Sequence, residues 1–142
     1  MIEFDDRYGL EDFKLQKLEV IKESLTDKDI ELIFVDNHEM QEMNNNFRQI
    51  DKTTDVLSFP LDFMDGLPLG SLVINIEMAK EKSKELGHSL EDEISLMFIH
   101  GLLHLLGYDH ETDSGQMRKK EEELIEQFCL PKSLIVRIED AS

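Results

Sequence analysis

The chain has 142 residues, with 32 Asp and Glu against 15 Lys and Arg for a formal net charge of −17. That length suits one domain able to bury about two-thirds of its unfolded surface. No apolar run approaches the ~18 residues of a membrane span, and the N-terminus lacks a basic stretch followed by an apolar one, so a secreted or membrane-embedded protein is disfavoured. The single cysteine, Cys129, excludes an internal disulfide framework and a Cys-based zinc site. A soluble cytoplasmic protein is expected. Acidic residues outnumber basic ones in every quarter of the chain. A duplex-binding surface, which neutralises phosphates with Lys and Arg, is therefore disfavoured. Nucleic acid would have to be handled by a few local cations.

Residues 1–4 read as a short strand. Over 10–25 the apolar positions Leu10, Phe13, Leu15, Leu18, Val20, Ile21 and Leu25 recur mostly at three- and four-residue steps, predicting an amphipathic helix. Residues 30–35 (Ile-Glu-Leu-Ile-Phe-Val) are short and rich in β-branched side chains, as a largely buried strand is. Asn37 is the expected N-cap of a helix through about Phe47, with Met40, Met43 and Phe47 on one face. A strand is expected at 55–59, halted by Pro60, which cannot donate a ladder hydrogen bond. A loop over 62–68 leads to a returning strand at 70–75. The next helix, 76–86, closes at Gly87, and Ser89 with Asp92 forms an N-terminal capping signature for its successor. That helix, 90–106, is apolar nearly all round in its second half, which predicts burial at the centre of the domain. Gly107 ends it. A loop through Gly115, a charged helix over 116–128 and a strand or ordered tail at 133–138 complete the chain. With no internal repeat or long linker, residues 1–142 are expected to form one domain. Strands and helices mix without strict alternation, so the expected class is α+β or a mixed-sheet α/β sandwich.

The chemistry concentrates in His100-Gly-Leu-Leu-His104-Leu-Leu-Gly-Tyr-Asp-His110. On a helix, His100 and His104 project from one face with Cβ atoms about 6 Å apart, so two ring nitrogens can meet one metal ion. Gly107 lets the chain turn back and bring His110 to the same point. Three neutral imidazoles leave a tetrahedral zinc one open position, where a water can be activated, as in a catalytic rather than a structural site. Isolated imidazoles among leucines would otherwise be costly to bury. His38 and His88 lie near predicted turns or helix starts and read as surface or structural residues. The methionines, at helical spacings, read as core or interface fillers.

The pattern resembles the zincin helix His-Glu-x-x-His, but position 101 is Gly where those proteases carry the general-base Glu. Peptide hydrolysis by that route would lack its proton acceptor. The expectation from sequence is that Gly101 leaves open space beside the metal for a bulkier group such as a phosphate.

Residues 100–110 reproduce in full the motif His-Gly-x-Leu-His-Leu-x-Gly-Tyr-Asp-His of the YbeY endoribonucleases, and on it the chain resembles that bacterial rRNA-maturation family. A second block agrees: Asn46-Phe47-Arg48, then Asp51, Lys52 and Thr54-Asp55-Val56-Leu57-Ser58-Phe59-Pro60. A third, Leu69-Gly70-Ser71-Leu72-Val73-Ile74, agrees in part, and Met117 and Glu121 match the pattern after the third His. The family usually has Asp where this chain has Ser71. If that carboxylate orients a ligand or water, a neighbour must substitute. The segment after Pro131 matches nothing diagnostic.

The resemblance implies a mixed four-stranded sheet flanked by helices, with a zincin-like central metal-binding helix in a cleft. It implies a zinc-dependent, single-strand-specific endoribonuclease acting in rRNA maturation, notably at the 3′ end of 16S rRNA, and in ribosome quality control. His100, His104 and His110 carry over as ligands of one Zn2+ per chain, and Arg48 as the cleft arginine. A forked guanidinium can clamp a phosphate bidentately and stabilise transition-state charge. Without the family, Arg48 would read as a helix-end surface residue. Lys52 is a further phosphate-contact candidate. Asp109 reads equally as an imidazole orienter or a turn cap, and Ser58 equally as a cleft residue or a polar strand position. The acidic exterior predicts weak binding of free RNA and delivery by small-subunit ribosomal proteins or assembly factors. The alternatives are a zincin-like metal-dependent protease or amidase, and a ribosome-assembly factor with a mainly structural zinc.

Overall fold

The computed structural model describes residues 1–61, 68–109 and 112–131. Among these residues four strands form one sheet: β1 (Ile2–Asp6), β2 (Ile30–Val35), β3 (Val56–Pro60) and β4 (Gly70–Asn75), in the order β1-β2-β4-β3. β1, β2 and β4 run parallel, with Ile2 opposite Ile30 and Ile30 opposite Gly70, and β3 is antiparallel to β4 with Phe59 opposite Ser71. Five helices among the described residues accompany it: α1 (Gln16–Leu25), α2 (Asn37–Arg48), α3 (Ile76–Leu86), α4 (Leu90–Leu105) and α5 (Gln116–Gln127). The fold is α+β, one of the two classes expected from the pattern, with the mixed four-stranded sheet that the family resemblance implies. The expected element at 133–138 and most of the 62–68 loop lie outside the described residues.

The two-residue alternation of the strands sorts the layers. Ile30, Leu32, Phe34, Leu72 and Ile74 point to one face, where they join Leu18 and Ile21 of α1, Ile76 and Ala79 of α3, and most of α4 in the larger core. Met117, Leu124 and Ile125 of α5 close the same core from outside α4. Ile33, Val35, Leu57 and Val73 point to the opposite face, under Met40 and Met43 of α2. α4 lies at the centre of the larger layer: eleven of its sixteen residues are buried, including the run Glu93 to Ile99.

Two predicted boundaries shift for physical reasons. The helix expected from Leu10 begins only at Gln16. The Asp6 carboxylate accepts hydrogen bonds from the backbone N–H groups of Gly9 and Leu10 at 2.8 and 2.7 Å, and Gly9 and Asp12 have positive φ, which no helix tolerates. Phe13 still reaches the core, edge-on to Phe34 with centroids 5.1 Å apart. The N-cap of α2 is Asp36, not Asn37: the Asp36 side chain accepts from the Glu39 N–H. Asn37 is committed elsewhere, accepting from Asn75 Nδ2 at 2.6 Å and donating from its backbone to Glu77. Ser89 caps α4 as predicted, accepting from the Asp92 N–H, and Gly87 ends α3 in the left-handed region. Pro60 is the last residue of β3 rather than a residue beyond it, which an edge strand permits. None of the helices among the described residues is long and apolar enough to cross a membrane.

Candidate metal centre and nucleic-acid interface

α4 places His100 and His104 one turn apart on the same side. Their rings meet edge to face, with centroids 4.8 Å apart and planes at 80°, and the two Nε2 atoms are separated by 3.2 Å. Each ring is fixed through its other nitrogen. His104 Nδ1 lies 3.0 Å from the backbone carbonyl of Tyr108, and His100 Nδ1 lies 3.1 Å from Glu121 Oε1.

The first of these contacts follows from how α4 ends. Leu106 is the last helical residue in the capping sense and Gly107 adopts φ of +101°. The Gly107 N–H donates to the His104 carbonyl and the Tyr108 N–H to the Leu103 carbonyl, each at 3.0 Å. This paired closure needs a left-handed residue at Gly107, and it returns the Tyr108 carbonyl to the ring of His104. The second contact comes from α5, which packs Met117 and Leu124 onto the core and so buries Glu121, whose side chain is 5% exposed, against His100.

These partners settle the tautomers by chemistry. A carbonyl oxygen only accepts, so His104 Nδ1 carries the hydrogen, and a carboxylate holds the hydrogen of His100 on Nδ1 in the same way. In neutral rings both Nε2 atoms then carry lone pairs, and these converge at 3.2 Å. Two converging lone pairs repel unless a positive charge is shared between them. The donor set, two neutral imidazoles each braced at Nδ1, fits a divalent metal ion such as zinc. Among the described residues no group of three or more His, Cys, Asp or Glu is arranged to hold a metal, and His110, the third expected ligand, lies outside the described residues. A cavity of about 370 Å³ opens beyond this end of α4, lined by residues including Gly107, Tyr108, Asp109 and Gln116.

Gly101 departs from expectation. A Cβ built there would lie 2.7 Å from Leu72 Cδ2, 3.1 Å from Val56 Cγ2 and 3.3 Å from Ser58 Oγ. The missing side chain therefore faces β3 and β4, not open space beside the imidazoles. Its smallness lets α4 lie close on the sheet, and the expected room for a phosphate at this position is not there. Ser58 has a matching role: half-buried, its hydroxyl donates to the Gly101 carbonyl at 3.1 Å and ties α4 to β3.

Ser71 is also explained by its face. Gly70 and Leu72 point towards α4, so Ser71 points to the α2 side, where its hydroxyl donates to Glu31 Oε1 at 2.8 Å across the parallel register. A residue here is separated from His100 and His104 by the sheet. An Asp in its place would meet the Glu31 carboxylate.

Arg48 and Lys52 are both exposed near the C-terminal end of α2. Arg48 is the last residue of the helix, before Gln49 in the left-handed region. Among the described residues neither side chain has a hydrogen bond or ion pair, with the histidines or otherwise. His38 is a surface residue paired with Glu42, and His88 is buried against Glu93 at 2.8 Å, as surface and structural residues respectively. Glu121 and the Tyr108 carbonyl are the partners that ligand spacing alone does not reveal. The available signal for Glu121 was its match to the family pattern.

A family model described as Endoribonuclease YbeY matches residues 10–129. An Endoribonuclease YbeY from Nautilia profundicola is 61% identical over 140 residues, covering 99% of this chain and 100% of the relative. One from Campylobacter jejuni strain RM1221 is 66% identical over 129 residues, covering 90% and 96%. Among solved structures, the solution structure of TM1509 from Thermotoga maritima matches with a TM-score of 0.64 at 32% identity, covering 90% of this chain and 89% of that one.

Proposed function

The chain belongs to the Endoribonuclease YbeY family, and from that premise we propose that it is a zinc-dependent endoribonuclease cutting single-stranded RNA in rRNA maturation, at the 3′ end of 16S rRNA, and in ribosome quality control. The observation that carries the zinc dependence is the convergence of two Nδ1-braced imidazoles with their Nε2 atoms 3.2 Å apart. His100, His104 and His110 would hold the ion, one per chain. Bound zinc supplies Lewis acidity that polarises water or a phosphate oxygen.

The remaining steps belong to the protein. Glu121 and the Tyr108 carbonyl keep both rings in the tautomer that presents Nε2. Arg48 engages the scissile phosphate with two N–H donors and stabilises the charge that builds on it. Lys52 contacts a neighbouring phosphate. The substrate is unpaired, because a phosphate bound locally between a few cations must be presented without a duplex around it. The acidic exterior keeps affinity for free RNA low, so small-subunit ribosomal proteins or assembly factors in the cytoplasm deliver the substrate.

The zincin-like protease reading is disfavoured by position 101, which abuts Leu72 and Val56 and leaves no room for a general-base carboxylate. Cleavage of a labelled single strand and of the same sequence in a duplex tests the proposal. The expected result is cutting of the single strand alone, lost in Arg48→Ala. Peptide cleavage that survives Arg48→Ala, without RNA cleavage, would overturn it. The product ends identify the nucleophile: a 2′,3′-cyclic phosphate assigns the attack to the ribose 2′-OH.

A further inference from the structure

The acidic exterior is interrupted at the end of α2. Between Lys28 and Lys80 the only Lys and Arg residues are Arg48 and Lys52. Arg7, Lys17, Lys82 and Lys120 are ion-paired, whereas these two, like the exposed Lys14, Lys28, Lys84 and Lys119, have no carboxylate partner among the described residues. Asp51, between them in sequence, accepts from Gln41 Nε2 at 3.0 Å.

Beside this pair stands Phe47, 65% exposed and the most exposed large hydrophobic residue among those described, with Ile50 40% exposed nearby. The backbone gathers them. Gln49, at φ of +56°, ends α2, and the N–H of Ile50 returns to the Asn44 carbonyl. The buried Asn44 then donates from Nδ2 to the Lys52 carbonyl at 2.9 Å, fixing the returning segment against the helix. The Phe47 ring is itself held: it packs edge to face on Phe59, with centroids 5.4 Å apart and planes at 66°, and Phe59 packs onto the core beneath α2. One side of the ring is anchored and the rest is open to water.

A fixed, exposed aromatic flanked by unpaired cations matches the recognition chemistry of single-stranded nucleic acid. Cations follow the phosphates, and every base offers a π-face to the ring. A duplex cannot use such a surface, because its bases are already stacked on one another. The charge decides between partners: on a chain of net charge −17, a local basic and aromatic patch complements a polyanion better than it does an apolar protein surface.

We infer that Phe47 is a stacking platform for an unpaired RNA base, with Arg48 and Lys52 contacting the phosphates beside it. This rests on the endoribonuclease reading and adds the means by which an acidic protein selects unpaired RNA.

The chain contains no Trp, so Phe47→Trp introduces a single indole reporter at the platform. Binding of a single-stranded oligoribonucleotide is measured by anisotropy for wild type, Phe47→Ala and Phe47→Trp, with thermal unfolding as the fold control. The expected result is about tenfold weaker binding by Phe47→Ala, near wild-type binding by Phe47→Trp, and quenching of its indole emission on saturation. An abasic strand of the same length should bind wild type and Phe47→Ala alike. Wild-type affinity in Phe47→Ala, with cleavage by wild type intact, overturns the platform and leaves the endoribonuclease reading standing. A wild type that neither binds nor cuts single strands overturns both. Loss of association with small ribosomal subunits in Phe47→Ala, with oligoribonucleotide binding unchanged, overturns the inference and assigns the patch to a protein.

Discussion

Replacing Gly101 with Ala sets two effects of opposite sign against each other. In an open mid-helix position the change stabilises by about 1 kcal/mol, because Ala is the better helix former. At Gly101 the added methyl would meet Leu72 Cδ2 at 2.7 Å, and Leu72 is wholly buried in β4, one of the two inner strands of the sheet. Val56 Cγ2 at 3.1 Å and Ser58 Oγ at 3.3 Å close the remaining directions. Forcing a methyl into a packed core costs about 1–3 kcal/mol. With a fully buried neighbour the upper half of that range applies, leaving a net destabilisation of about 1–2 kcal/mol. Gly101→Glu, which restores the zincin residue, adds a carboxylate against Leu72 and Val56 and should cost about 4 kcal/mol or more. Urea unfolding of the two variants beside wild type measures both. Stabilisation of Gly101→Ala by about 1 kcal/mol would show that the position faces free space and would refute the packing argument.

Glu121→Gln should lower zinc affinity about 10- to 100-fold, the usual cost of losing an outer partner of a ligating His, as measured by competition with a chromophoric chelator. Ser71→Asp places a second carboxylate across from Glu31, so unfolding experiments should show a loss of up to about 1 kcal/mol, with zinc affinity unchanged because the sheet intervenes. Asp36→Ala removes the cap of α2 and should cost about 1 kcal/mol in the same assay. An equal loss of zinc affinity in Ser71→Asp would contradict the assignment of faces.

The strands at 30–35 and 70–75 were legible at their full length, because buried β-branched runs with polar ends leave few alternatives. The α1 start was not: the apolar spacing from Leu10 onwards is helical, yet the Asp6 carboxylate captures the N–H groups a first turn would have left open. At the start of α2, two good capping residues stand side by side, and Asn37 is drawn off by Asn75, which is distant in sequence. The histidine pair was legible from a four-residue spacing, since one helix alone sets its geometry. Its brace at Glu121 depends on how α5 docks, twenty-one positions away, and no local pattern encodes that. Gly101 shows the same limit. Spacing identifies what surrounds it in sequence, but only the packing of α4 on β3 and β4 shows which way its missing side chain points.

The most direct test of the central claim joins metal content to RNA cleavage in wild type and His104→Ala. The account predicts about one zinc per wild-type chain, cutting of single-stranded but not duplex RNA, and abolition of that cutting on chelation. His104→Ala should lose zinc and activity while its circular dichroism remains that of the folded domain. A fully folded wild type that cuts RNA without metal would contradict the account, as would a His104→Ala variant that unfolds outright, the mark of a structural zinc.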